Sequence, residues 1–319
     1  MVSEFEIIHR FFQRELAAPG VLLGIGDDAA ILMPDAGSAL VVAVDTLVAG
    51  RHFPDQTDPV SIGHKALAVN LSDLAAMGAQ PRWATLALTL PKADEAWLSG
   101  FAEGFFALAD RFHVALVGGD TTRGPLSMTV QVQGQVDAAR ALRRDAAKPG
   151  QHIFITGTPG DAAFALQQLQ AGEAVEAALL ARLNRPEPRI ALGMTLAGVA
   201  EAAIDVSDGL LADIQHMLDA SACGAQINVD AIPRSQALLS LDVESALTCQ
   251  LNGGDDYELC FTVDADRVEQ VYQAAEDSAV SIAEIGIIEP QPGIRCVHED
   301  GSPCTLKVGG FDHFANNHD

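Results

Sequence analysis

Short apolar runs that end in glycine and aspartate recur along this chain. They restrict it to a fold in which strand ends and turns carry the polar chemistry. Gly24-Ile25-Gly26 leads into Asp27-Asp28, the run 40–44 ends in Asp45, and Val117-Gly118-Gly119 leads into Asp120. Ala202-Ala203-Ile204 leads into Asp205 and Asp208, and Gly253-Gly254 precedes Asp255-Asp256. Helical patterns stand between the strand-like runs in both halves, which predicts an α/β (α+β) chain of two layered domains.

Ser3 with Glu6 is a capping-box pattern. Ile7, Ile8, Phe11, Phe12 and Leu16 follow at helical spacing, so an N-terminal helix is expected. The Val-rich stretch 39–48 reads as a buried strand, 60–77 as a helix and 84–90 as a strand. Residues 91–112 read as a helix started by Pro91, 114–117 as a short strand, and 126–136 as a half-exposed strand. Arg140, Arg143, Arg144 and Lys148 cluster before Pro149-Gly150, a basic, turn-rich connector in an acidic chain. The expected division is a first domain over 1–139, a connector over 140–150 and a second domain over 151–319. In the second half, strands are expected at 152–156, 202–206, 225–229, 258–263, 282–288 and 293–297. Helices are expected at 161–170 and 209–220, with a further segment at 189–201.

The formal net charge of −24 repels nucleic-acid phosphates and anionic membranes over most of the surface. Neither is expected as a partner, and a polyanionic nucleotide is admitted only where metal ions or local Arg and Lys invert the field. The five cysteines, Cys223, Cys249, Cys260, Cys296 and Cys304, form no C-x-x-C pair and are odd in number. They read as small core positions in a reducing compartment rather than a zinc or disulfide framework. No basic-then-apolar start and no membrane-length apolar run is present, so a cytoplasmic location is expected.

In the segment 65–79, Asp73 sits among Ala, Leu, Val and Gly, and a carboxylate in apolar surroundings needs a compensating cation. Asp28, Asp45, Asp120, Asp205 and Asp208 repeat that situation at strand ends and turns. Six converging carboxylates would repel one another without cations. Several Mg2+ ions would both resolve the repulsion and supply what phosphoryl transfer requires. The turn around Gly118-Gly119 offers backbone N–H groups to phosphate oxygens. Ser207 or Asp208 reads either as a cap of the following helix or as a metal or phosphate contact. No P-loop, dinucleotide fingerprint, kinase H-R-D/D-F-G set or Ser-His-Asp arrangement is present.

Taken together, GIGDDAA at 24–30, VDTLVAGRHF at 44–53, KALAVNLSDLAAMGA at 65–79, GGDTTRGPLSMTV at 118–130, DVSDGLLAD at 205–213 and GGDDYELCF at 253–261 resemble the thiamine-monophosphate kinase family. The closing Gly310-Phe311-Asp312-His313-Phe314 fits as well. The resemblance implies ATP-dependent phosphorylation of thiamine monophosphate to thiamine diphosphate by in-line transfer with several Mg2+ ions. It also implies a homodimer joined through a mixed sheet of the N-terminal domain. By motif position, Asp28, Asp45, Asp73, Asp120, Asp205 and Asp208 would hold metal. Gly119, Asp120, Arg144 and Ser207 would lie at ATP, and His52, Asp255 and Phe311 at the thiamine substrate. Two departures stand out: Ala43-Val44 where the family often has Ser-Thr, and Asp255 where it usually has Glu. The alternatives are another ATP-binding synthetase of the same superfamily, or a non-catalytic Mg-nucleotide-binding regulator.

Overall fold

The computed structural model describes residues 3–14 and 18–305. It divides into two compact units: Met1–Leu74 with Ala79–Arg140, and Ala75–Gly78 with Ala141–Asp319.

The first unit begins with α1 (Glu4–Ile7), capped by the reciprocal Ser3–Glu6 box. It continues as a π-helical turn over Ile8–Phe12 rather than as the single longer helix expected. A small antiparallel pair, β1 (Val21–Leu23) and β2 (Ile31–Leu32), follows. The main elements are then β3 (Ala39–Val48), α2 (Pro59–Ala76), β4 (Gln80–Leu90), α3 (Glu95–Arg111), β5 (Ala115–Arg123) and β6 (Ser127–Val136). The four long strands form a mixed sheet in the order β3-β6-β4-β5, with only β4 and β5 parallel.

α2 shows why this sequence makes a helix here. Asp58 accepts the Ser61 N–H at 2.9 Å and Pro59 occupies the first helical position, so the start is pre-set. Leu67, Ala68, Leu71, Leu74 and Ala75 are fully buried. The helix ends where Gly78 takes φ +67° and the Ala79 N–H reaches back to the Leu74 carbonyl at 2.9 Å, a left-handed terminus that glycine adopts without steric penalty.

Three expectations for this unit are corrected. β3 is not a buried strand: Leu40, Val42 and Val44 on one face are 48%, 51% and 56% exposed and the other face is only partly covered; β3 is also the edge of the sheet, paired only with β6. α3 starts after Asp94, whose carboxylate caps Ala96 and Trp97, and not at Pro91. Gly118-Gly119 is not a turn. β5 runs through it to Arg123, and Gly119 (φ +153°) lies so close to the Leu86 carbonyl that a side-chain carbon would stand 1.9 Å from that oxygen.

The second unit contains β7 (His152–Thr156), α4 (Asp161–Gln170), α5 (Ala177–Asn184), α6 (Ile190–Leu196), β8 (Ala203–Val206), α7 (Leu210–Ser221), β9 (Gly224–Asn228), α8 (Val243–Asn252), β10 (Glu258–Val263), α9 (Val268–Asp277), β11 (Ile282–Glu289) and β12 (Gly293–Val297). Its six-stranded sheet has the order β12-β9-β11-β7-β10-β8, antiparallel except for β12 with β9. Ile153, Ile155, Ile204, Val206, Leu210, Leu211 and Ile214 form the centre of one core on this sheet. The helices α5, α8 and α9 were not anticipated. α8 had a readable signal in Asp242, which accepts the Ser245 N–H at 3.0 Å as its N-cap. All five cysteines are free. No helix among the described residues is long and apolar enough to cross a membrane.

Candidate active site

In the first unit, Asp45 lies on β3 and Asp73 on α2. A residue that sequence reasoning missed ties these two elements together. Asn70 is fully buried; its Oδ1 accepts the Asp45 N–H at 3.0 Å and its Nδ2 donates to the Ala66 carbonyl at 3.0 Å. Asp73 comes three residues after Asn70, one turn along the same side of the helix. The strand position carrying Asp45 and the helix face carrying Asp73 are therefore fixed to each other through one amide.

Asp120 is placed differently. Across the sheet, Thr46 pairs with Thr129, Thr129 with Ala87 and Ala87 with Asp120. Residues in one cross-strand row share a face, and adjacent residues on a strand face oppositely. Asp120 thus shares a face with Thr46, while Asp45 and Gly119 are on the other. Asp28 is exposed in the 24–30 turn, its N–H bonded to the Asp27 carboxylate at 2.8 Å. Among the described residues, no group of three or more His, Cys, Asp or Glu side chains is arranged to hold a metal ion.

His52 closes a tight turn after β3. Its Nδ1 accepts the Val48 N–H at 2.9 Å, which assigns the ring proton to Nε2. The buried Lys65 donates to the His52 carbonyl at 3.3 Å. Phe311 lies outside the described residues.

In the second unit, Asp205 lies on β8, one residue before its end, and is 4% exposed; Ser207 and Asp208 follow in the turn to α7. Neither Ser207 nor Asp208 caps that helix. The three amides of residues 207, 208 and 209 instead donate to one oxygen, Oδ2 of Asp213, at 2.9, 3.0 and 3.2 Å. Burial above all, then the neighbouring charges of Asp205 and Asp208, push the Asp213 carboxyl up to about 7, against the lowering effect of those N–H groups. The charges of Asp205 and Asp208 therefore stand near Asp213, whose own carboxylate is turned onto the backbone amides.

The 252–257 loop packs against this turn. Asp255 N–H donates to the Ser207 carbonyl and Tyr257 N–H to the Val206 carbonyl, both at 2.8 Å. Asp255 and Tyr257 both have left-handed backbones, φ +68° and +51°. Non-glycine residues of this kind concentrate at functional sites. The Tyr257 hydroxyl donates to Asp255 Oδ1 at 3.1 Å. Between them Asp256 is buried. Burial is the main reason its carboxyl stands well above the usual range, with Oδ2 accepting the Gly160 N–H at 2.7 Å. Arg144 is exposed at the start of a 3-10 turn. Its neighbour Arg143 is paired with Asp145 through Nε at 2.8 Å, whereas no ion pair holds the Arg144 guanidinium among the described residues.

The fold and motifs match known proteins over almost the whole chain. The AIR synthase related protein N-terminal domain model matches residues 26–136, and the corresponding C-terminal domain model residues 148–299. The thiamine-monophosphate kinase of Escherichia coli K12 is 48% identical over 320 residues, covering 98% of this chain and 98% of that protein. The crystal structure of thiamine-monophosphate kinase from Stenotrophomonas maltophilia K279a is 49% identical with a TM-score of 0.84, covering 94% of this chain and 96% of that one. A structure of AaThiL complexed with AMPPCP and TMP is 28% identical with a TM-score of 0.78, covering 88% of this chain and 89% of that one.

Proposed function

Because this chain belongs to the thiamine-monophosphate kinase family, we propose that it moves the γ-phosphoryl group of ATP onto the phosphate of thiamine monophosphate, giving thiamine diphosphate and ADP. The observation that carries this reading is 48% identity sustained over 98% of both chains. The AaThiL complex with AMPPCP and TMP supports the same pair of substrates here. A direct in-line transfer needs positioned phosphates and charge neutralisation rather than a covalent nucleophile.

The residue assignments follow. Asp28, Asp45, Asp73, Asp120, Asp205 and Asp208 would hold Mg2+, a hard cation matched to carboxylate oxygens, with Asp120 serving a different ion from Asp45, since the two lie on opposite faces of the sheet. Bound there, Mg2+ supplies neutralisation of charge on the phosphate oxygens. Gly119, Asp120, Ser207 and the exposed Arg144 guanidinium belong to the ATP side, where a planar fork suits phosphate. His52, Asp255 and Phe311 belong to the thiamine side. Nε2–H of His52 is a donor, and the ring of Phe311 suits stacking on a flat heteroaromatic group.

We further propose a homodimer with β3 as its contact. The support is an edge strand whose open face carries Leu40, Val42 and Val44 half exposed, an arrangement that monomers avoid. Light scattering is expected to give twice the 33.5 kDa chain mass; a single-chain mass removes the dimer. A cytoplasmic location is in keeping with the five free cysteines.

The test of function is a coupled assay with Mg2+, ATP and thiamine monophosphate, run beside unphosphorylated thiamine. Thiamine diphosphate is expected from the monophosphate alone. No product, where a control kinase succeeds, overturns the reading, and nucleotide binding without turnover favours the regulator.

A further inference from the structure

Three successive amides converging on one point form a nest, a feature that ordinarily receives a phosphate or another free anion. At the start of α7 that nest is already filled. Oδ2 of Asp213 takes the N–H groups of Ser207, Asp208 and Gly209 within 2.9–3.2 Å, and Asp213 is 3% exposed. The reading of this helix N-terminus as a phosphate cradle is therefore closed off by the chain's own carboxylate.

The opposite side of the turn is also fixed. The Ser207 carbonyl is taken by Asp255 N–H and the Val206 carbonyl by Tyr257 N–H. Gly254 approaches the Ser207 carbonyl so closely that a side-chain carbon would stand 2.4 Å away. The three amides of the turn and the carbonyls of Val206 and Ser207 are thereby engaged within the chain. What the turn presents is the side chains of Ser207 and Asp208, with Asp205 near the strand end beside them.

We propose that Asp213 is a positioning residue for the nucleotide half of the site: by occupying the amide nest of residues 207–209 it excludes phosphate from those amides and presets Asp205 and Asp208 to meet the nucleotide through a divalent cation. The proposal rests on the kinase reading above, since it presumes that a nucleotide comes to this turn.

The experiment compares the full-length wild type with Asp213→Ala and Asp213→Asn. It uses hydrogen exchange of the peptide containing residues 207–209, calorimetric titration with AMPPCP and Mg2+, and KM values for ATP and thiamine monophosphate. Asp213→Ala removes the acceptor. Its turn amides are expected to exchange at least about tenfold faster, since the lost hydrogen bonds contribute of order one power of ten each. AMPPCP affinity in Mg2+ and the KM for ATP should worsen about tenfold or more, with the KM for thiamine monophosphate moving less than about threefold. Asp213→Asn keeps an oxygen in the nest and should stay within about threefold of wild type in exchange and binding.

Unchanged Mg2+–AMPPCP affinity in a folded Asp213→Ala overturns the proposal, as does a uniform loss in both KM values with a lowered Tm. If Asp213→Ala does not fold, Asp213→Asn decides: a tenfold loss of binding with the amides still protected would make Asp213 a charge partner of the ligand, not a positioner. The binding arm needs no turnover. A wild type that binds Mg2+–AMPPCP but makes no thiamine diphosphate sinks the kinase reading alone, and one that does not bind it sinks both.

Discussion

Asp73→Asn is expected to lower turnover of thiamine monophosphate by roughly a thousandfold, with little change in Tm. The substitution keeps the shape of the side chain and removes its charge. α2 itself is set by the Asp58 cap, the buried Leu and Ala face and the Gly78 terminus, none of which involves Asp73. The loss falls on the cation side of the reaction, where Lewis-acid stabilisation contributes several kcal/mol and each 1.36 kcal/mol or so is a factor of ten. The Asn70 amide, which joins this helix to the Asp45 backbone, remains in place, so Asp45 is not displaced. Steady-state kinetics at saturating ATP and Mg2+, with a melting curve beside them, make the measurement. Near-normal turnover would take Asp73 out of the metal set.

Glu258→Ala is expected to destabilise the second unit by about 3–5 kcal/mol, the range for breaking a buried ion pair from one side. Glu258 is fully buried on β10, between β7 and β8. Its carboxylate takes Arg182 Nη2 at 2.6 Å, and Arg189 through Nε at 2.7 Å and Nη2 at 2.6 Å. The Thr156 hydroxyl adds a fourth donor at 2.5 Å, and Thr156 in turn accepts the Leu259 N–H at 2.8 Å. Removing the carboxylate leaves two guanidiniums in a site shaped for a shared anion.

The same group sets a pH dependence. Burial alone would raise the Glu258 carboxyl, but the Arg189 hydrogen bonds, the Arg189 and Arg182 charges and the Thr156 hydroxyl outweigh it and hold the group below its ordinary 4.5. Its contribution is then present above the unfolded value and is lost as pH falls through the lower, folded value. Denaturant unfolding at pH 7 and at decreasing acidic pH should show the wild type and Glu258→Ala converging at the acid end. A constant gap between them, or a loss below about 1 kcal/mol at pH 7, would contradict the assignment.

Much of the fold was legible in the residues because it is local. The Ser3–Glu6 box, the helix over 161–170, the strand over 152–156 and the strand–turn–helix around 202–220 follow from capping residues and periodicity within a few positions. The edge character of β3 was not legible. Its Val-rich run reads the same in a central strand or at an edge, and only the strand order β3-β6-β4-β5 decides. The same holds for Gly118-Gly119, where a close approach to the Leu86 carbonyl on β4 calls for glycine inside a strand and imitates a turn signal.

What the sequence by itself determined is the strands of the two main sheets, the family and the set of aspartates, since these depend on residue type and near-neighbour spacing. What only the tertiary structure decided is what those aspartates face and what holds them. The side-chain period of two on a strand puts Asp120 and Asp45 on opposite sides of a sheet once the pairing register is fixed. Asp213 appears in the chain as one more acid in a helix. It becomes the acceptor of three amides only because Gly209 turns the backbone at φ +130° and aims residues 207–209 at it. Glu258 likewise meets Arg182 and Arg189 from 76 and 69 residues away, a separation that spacing rules do not cover and that only the tertiary fold supplies.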